Sequence, residues 1–277
     1  MIMGDGDRGM HEEICGKIKD SRGRSGMSTV LSVWALLAKS SFIKVLAVVF
    51  LLAAAETVLF CDTLRGDGIA SLEVQIEESG AQYLFLAALG AVFFILVRTE
   101  KILDTAGRYT MMRLRIAGER LFAVETAYNV LCLLVLFAAQ TGLVFWFAYV
   151  YGRTPEIQGM EDGGIVVSQV IFMAFYRSDF LHSLFPMAET GNWVRNALLL
   201  LALGADAAGR AGRKRQAAQV ALFLLAAVCF MDSIGTGWPD VICDITFLVT
   251  IGVNVWEAYA FRREMRLCRE PGQSDRA

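Results

Sequence analysis

The chain has 277 residues, 56% of them hydrophobic and only 19% charged, with a formal net charge of −2. An ordinary soluble domain carries about 25% charged residues; here the charges cluster between long apolar runs, the pattern of membrane spans. There is no uniformly basic surface and no nucleic-acid motif, which argues against nucleic acid as a partner.

Residues 1–26 are polar, Gly-rich and of mixed charge, with no apolar stretch of the kind a signal peptide needs. They read as a disordered tail, and Met27 opens the first patterned segment, so the biological start is expected there. Over 27–41, Val30, Val33, Trp34 and Leu37 share a helical face, which predicts an interfacial helix; the alternative is an extension of the first span.

A helix needs about 20 apolar residues to cross a ~30 Å hydrocarbon core. Six segments meet or approach that length: 42–60, 82–98, 123–151, 193–209, 217–235 and 241–260. The fourth carries Arg195 near one end and Asp206 near the other. The expected fold is an all-α polytopic bundle of six transmembrane helices in one domain, 27–260, followed by a basic tail, 261–277. A further apolar run, 165–176, has only 12 residues and is followed by Arg177, Asp179 and His182. It is too short to span and predicts a re-entrant or interfacial helix.

Lysine and arginine fix the expected orientation. With six crossings and the N-terminus inside, the cytoplasmic pieces 1–44, 98–121, 210–216 and 261–277 hold 22 of the 26 basic residues. A seventh crossing would split them 15 to 11. The outer loops agree: residues 61–80 hold five acids and one Arg, and 154–164 hold three acids and no base. Trp146, Tyr149 and Tyr151, then Trp193 and Trp238, stand where outer aromatic anchors belong, with Trp256 and Tyr259 at the inner end of the last span. Both termini are therefore expected in the cytoplasm of a cell-membrane protein.

Catalytic chemistry finds no support. The only histidines are His11 and His182, too few to ligate haem within a bundle. HExxH, GxSxG and Cys/His clusters are lacking. Residues 204–211, GADAAGRA, begin like a phosphate-binding loop but place Arg210-Ala211 where Lys and Ser/Thr should stand. No metal or cofactor site is expected. The six cysteines form no CxxC, and Cys132, Cys229 and Cys243 lie inside apolar runs as small hydrophobes.

The most informative stretch is 106–122, AGRYTMMRLRIAGERLF. Read as a helix, it aligns Tyr109, Met112, Ile116 and Leu121 on one side, with Arg108, Arg113, Arg115 and Arg120 on the remainder. Such a basic amphipathic helix either rests on anionic lipid or docks a soluble partner. At the outer side, Asp179 and His182 are i,i+3 neighbours able to pair, and with Arg177 they mark an outer gate or path, or simply a helix in the headgroup layer. Gln140, Asp206, Asp232, Asp244 and Asn254, with Glu125 and Asn129, are read first as interhelical packing groups.

The order is an N-terminal interfacial helix, two spans, a basic loop helix, then four spans with an inserted outer helix. It resembles the membrane subunit of an ABC-2-type transporter. The motif of that resemblance is Leu114-Arg115-Ile116-Ala117-Gly118-Glu119-Arg120-Leu121, without the family's frequent Pro. The family's outer inserted helix usually lies between the fifth and sixth spans; here it lies between the third and fourth. The resemblance implies a permease that binds no nucleotide itself. It implies pairing with a second membrane subunit and docking of a separate ATP-binding cassette ATPase through a coupling helix. Arg108, Met112, Arg113, Arg115, Ile116, Arg120 and Leu121 would form that helix. The other expectation is a non-transporting membrane anchor or sensor in a signalling or secretion complex.

Overall fold

The computed structural model describes residues 31–65, 71–102, 118–153, 167–186, 190–209, 213–231 and 238–267. Among these, all regular structure is helical. In chain order the helices are α1 (Leu31–Thr63), α2 (Leu72–Glu78), α3 (Ala81–Ile102), α4 (Gly118–Tyr151), α5 (Val167–Arg177), α6 (Asp179–Leu184), α7 (Thr190–Ala207), α8 (Arg213–Met231) and α9 (Trp238–Leu267).

Four helices are long and apolar enough to cross a membrane: Leu31–Thr63, Ala81–Arg98, Arg120–Tyr151 and Val241–Ala260. Their outward faces support that reading. Ile43, Phe50 and Leu51 on α1 and Trp256 on α9 are each more than 70% exposed. In water, a continuous apolar surface of this kind would drive association; in lipid it is the solvated side. The chain is thus an all-helical protein with membrane-embedded character.

Two of the six expected spans depart from that standard. The apolar part of α8, Gln216–Phe230, is shorter. Helix α7 is the polar one, yet Asn192, Arg195, Asn196 and Asp206 on it are all buried. They are tolerated because the side of α7 that carries them packs on α4, α9, α8 and α3, while Trp193, Val194 and Leu201 form its exposed side.

Residues 31–41 do not form a separate interfacial helix. They run into the first span as one 33-residue helix, with a π-helical turn at Ala38–Phe42. The Oγ atoms of Ser40 and Ser41 both donate to the Leu37 carbonyl in that turn, at 2.9 and 3.0 Å. Val33 and Leu37 are buried, and Trp34 meets the Tyr128 ring edge-on at 6.4 Å. These core contacts hold the first turns of α1 against α4.

Contacts between rings and polar groups set the helix directions. Trp34 and Ser41 meet Tyr128, Glu56 meets Gln140, and Phe60 stacks on Phe147, so α1 and α4 run parallel. Phe85 meets Phe230 while Phe93 meets Phe223, so α3 and α8 are antiparallel. Helix α8 leaves Asp206 at Gln219 and reaches Phe137 at Phe230, so it runs with α4. Cys229 of α8 lies beside Cys243 of α9, while α9 packs mainly on α7 and α4.

One end of the bundle is capped. Helix α2 closes at Gly80, whose φ of +68° lets the chain reverse directly into α3. Helices α5 and α6 are broken apart at Ser178, whose extended backbone (ψ 121°) ends one helix and starts the next. α5 packs on α2, and α6 packs on α8. Phe180 of α6 reaches Phe85, completing an aromatic cluster with Phe137 and Phe230 at centroid separations of 5.3–5.9 Å.

Candidate functional site

Buried polar groups in an apolar bundle are costly unless paired, so their placement locates the candidate site. The deepest pair is Glu56 of α1 and Gln140 of α4. Gln140 Nε2 donates to Glu56 Oε2 at 3.0 Å, and the two side chains are 1% and 0% exposed. Glu56 Oε1 and Gln140 Oε1 have no hydrogen-bond partner.

Sequence pattern explains why the two meet. In α1 the buried positions Val45, Leu52, Glu56 and Phe60 fall on one helical stripe, so Glu56 occupies a place where a leucine would pack. On α4, Leu133, Leu136, Gln140, Val144 and Phe147 form the facing stripe. One turn toward the capped end, the fully buried rings of Phe60 and Phe147 stack at 4.4 Å with planes 20° apart. They separate the Glu56–Gln140 pair from that end of the bundle.

A second polar contact ties the same helices near the opposite end. Ser41 Oγ and Tyr128 Oη lie 2.8 Å apart, both buried. Thus α1 and α4 are joined by polar contacts at two levels, with apolar packing between.

Helix α7 carries the third group. Asn129 Nδ2 of α4 donates to the Gly204 carbonyl at 3.2 Å, and Gln219 Nε2 of α8 donates to the Asp206 carbonyl at 3.3 Å. Toward the capped end, Asn196 Nδ2 donates to the Ser183 carbonyl of α6 at 2.8 Å. These bonds, with buried Arg195 and Asp206, make α7 the polar spine of the bundle. Asn254 bonds within its own helix to the Thr250 carbonyl at 3.0 Å, and Asp244 is half-buried. Asp232 lies outside the described residues.

The docking residues expected from sequence are only partly placed. Arg108, Met112, Arg113, Arg115 and Ile116 lie outside the described residues. Arg120 and Leu121 stand in the first turn of α4, Arg120 exposed and Leu121 packed against the core. The outer triad is divided. Arg177 ends α5 and reaches Glu73 of α2 with an Nη1–Oε1 distance of 3.4 Å, largely exposed. His182 sits half-buried in α6. Asp179 opens α6, and its side chain lies outside the described ones.

Sequence reading missed Glu56. The signal was present: it is the one carboxylate within IKVLAVVFLLAAAETVLFC, well inside the first span. Among the described residues no group of three or more His, Cys, Asp or Glu is placed to hold a metal ion. Comparisons with family models, curated proteins and solved structures return no match.

Proposed function

We propose that this chain is the membrane-spanning permease subunit of an ATP-driven transporter in the cell membrane. It crosses six times, through α1, α3, α4, α7, α8 and α9, with both termini in the cytoplasm. The observation that carries the reading is that α4 begins at Gly118, within the basic amphipathic stretch 106–122, with Arg120 exposed and Leu121 on the core. A soluble ATPase seated on residues 108–121 would push on a 34-residue helix that is bonded to both α1 and α7.

The six-crossing count is supported by the helix directions, which alternate from one long helix to the next along the chain, and by 22 of 26 basic residues falling on one side. The polar residues of α7 face protein, so that helix needs less apolar surface than a span with lipid all round. In this arrangement α2, α5 and α6 cap the outer face, with α5 and α6 as a re-entrant or interfacial pair. Arg177, Asp179 and His182 then stand at an outer gate or path. A second membrane subunit covers part of the remaining apolar surface, and lipid covers the rest.

The test is copurification. A tagged chain in mild detergent should bring down an ATP-binding cassette ATPase. Ile116→Asp places a charge in the docking groove, where no partner compensates it, and should abolish that association while leaving membrane insertion intact. A complex that survives the substitution, or no ATPase with the unmodified chain, overturns the reading in favour of a non-transporting anchor or sensor.

A further inference from the structure

The Glu56–Gln140 contact is incomplete as it stands. A carboxylate accepts only, and a carboxamide offers one acceptor oxygen and one donor group. One bond is made, from Gln140 Nε2 to Glu56 Oε2, and it leaves an acceptor on each side, Glu56 Oε1 and Gln140 Oε1, buried and unpartnered. A single proton resolves both. Placed on Glu56 Oε1, it turns that atom into a donor whose acceptor is Gln140 Oε1, and the acid and amide become a doubly bonded pair with no net charge.

No other group answers the carboxyl. Gln140 is its only side-chain partner among the described residues. The titratable or charged side chains described on the helices packed on α1 are Arg120, Glu125, Tyr128, Cys132, Tyr149 and Tyr151 on α4, Tyr83 and Arg98 on α3, and Glu73, Glu77 and Glu78 on α2. Lys39, Lys44, Cys61 and Asp62 lie on α1 itself. None of these forms a hydrogen bond or ion pair with Glu56. A metal cation is a poor occupant: a hard cation takes about six or more oxygens, and this pair presents two free ones.

We propose that Glu56 and Gln140 form a proton-binding site between α1 and α4, in which one proton on Glu56 Oε1 is shared with Gln140 Oε1. The stacked Phe60 and Phe147 rings close the site toward the capped end. The site is independent of the ATPase-coupled reading and holds for any function of this bundle.

The full-length chain in lipid vesicles at neutral pH tests it by infrared difference spectroscopy. The carbonyl stretch of a hydrogen-bonded carboxylic acid should be present in the unmodified protein and missing from Glu56→Gln. Gln140→Leu should keep that band but move it to higher frequency, because the acid loses its acceptor; this variant serves if Glu56→Gln does not fold. On the unmodified chain, dicyclohexylcarbodiimide should add to Glu56, as mapped by peptide mass spectrometry. The acid proton passes to a carbodiimide nitrogen, the carboxyl oxygen bonds to the central carbon, and nothing leaves. Loss of carboxylate bands in Glu56→Gln, an unmoved acid band in Gln140→Leu, or no adduct at Glu56 overturns the proposal. Protection of Glu56 by sodium at constant pH also overturns it, in favour of a metal cation.

Discussion

Asn129 Nδ2 on α4 donates to the Gly204 carbonyl oxygen on α7 at 3.2 Å, where the two backbones come close enough to leave no room for a side chain at 204. A Cβ there would stand 2.5 Å from Val130 Cγ2 and 3.2 Å from the Val130 backbone nitrogen. Small residues allow this kind of approach between membrane helices.

Gly204→Ala should therefore destabilise the protein by roughly 1–3 kcal/mol, the usual cost of overpacking. Gly90→Ala should cost less, because its Cβ meets the far end of the Phe223 ring at 2.9 Å and that ring can swing. Gly252→Ala meets nothing within 4 Å and should gain up to about 1 kcal/mol from helix propensity. Unfolding in a denaturing-detergent titration gives the order; equal effects at 204 and 252 would show that α4 and α7 are not in contact there.

Tyr128→Phe removes the hydroxyl that lies 2.8 Å from Ser41 Oγ but keeps the ring against Trp34. Ser41 retains its bond to the Leu37 carbonyl. The loss should be about 0.5–1.5 kcal/mol, the net worth of one hydrogen bond. A much larger loss in the same titration would mean that the hydroxyl does more than join α1 to α4.

Cys229 Sγ and Cys243 Sγ are 3.8 Å apart and buried between α8 and α9. Copper phenanthroline, a membrane-permeant oxidant, should take two electrons and two protons from the pair and join them. Mass spectrometry of the linked peptides reports the bond. Failure to cross-link under conditions that oxidise Cys61 would contradict the pairing of these helices.

Arg177 and Glu73 hold α5 to α2 only at the surface, at 3.4 Å. Exposed pairs of this kind contribute below about 1 kcal/mol, so Arg177→Ala should leave stability nearly unchanged. A large drop in thermal unfolding temperature would assign the cap more structural weight than its geometry supports.

Much of the bundle is legible in the sequence because length and apolar character are local properties. Each expected span falls at least in part on a helix, and four of these helices are long and apolar enough to cross a membrane. From Val167 on, the short run at 165–176 forms α5, a separate helix too brief to cross. What was not legible depends on neighbours. Residues 31–41 show an amphipathic face that suits a membrane surface equally well; only Tyr128 and the core decide that they continue into α1. The polar residues of α7 read as a weak span, whereas burial among four helices makes them its packing groups. Glu56 was passed over since a single acid barely perturbs a window of 20 apolar residues, and its partner lies 84 positions away.

The proposed membrane orientation underlies both the proposed docking surface and the proposed outer placement of the cap, and thiol labelling in intact cells tests it most directly. With Cys15, Cys61 and Cys268 replaced by Ala, one further cysteine at a time is introduced as Ala70→Cys, Gln158→Cys or Gly212→Cys and exposed to an impermeant maleimide. Positions 70 and 158 should label in intact cells, and position 212 only after the membrane is permeabilised. Labelling at 212 in intact cells, or protection at 70 and 158, would contradict six crossings with the basic segments inside.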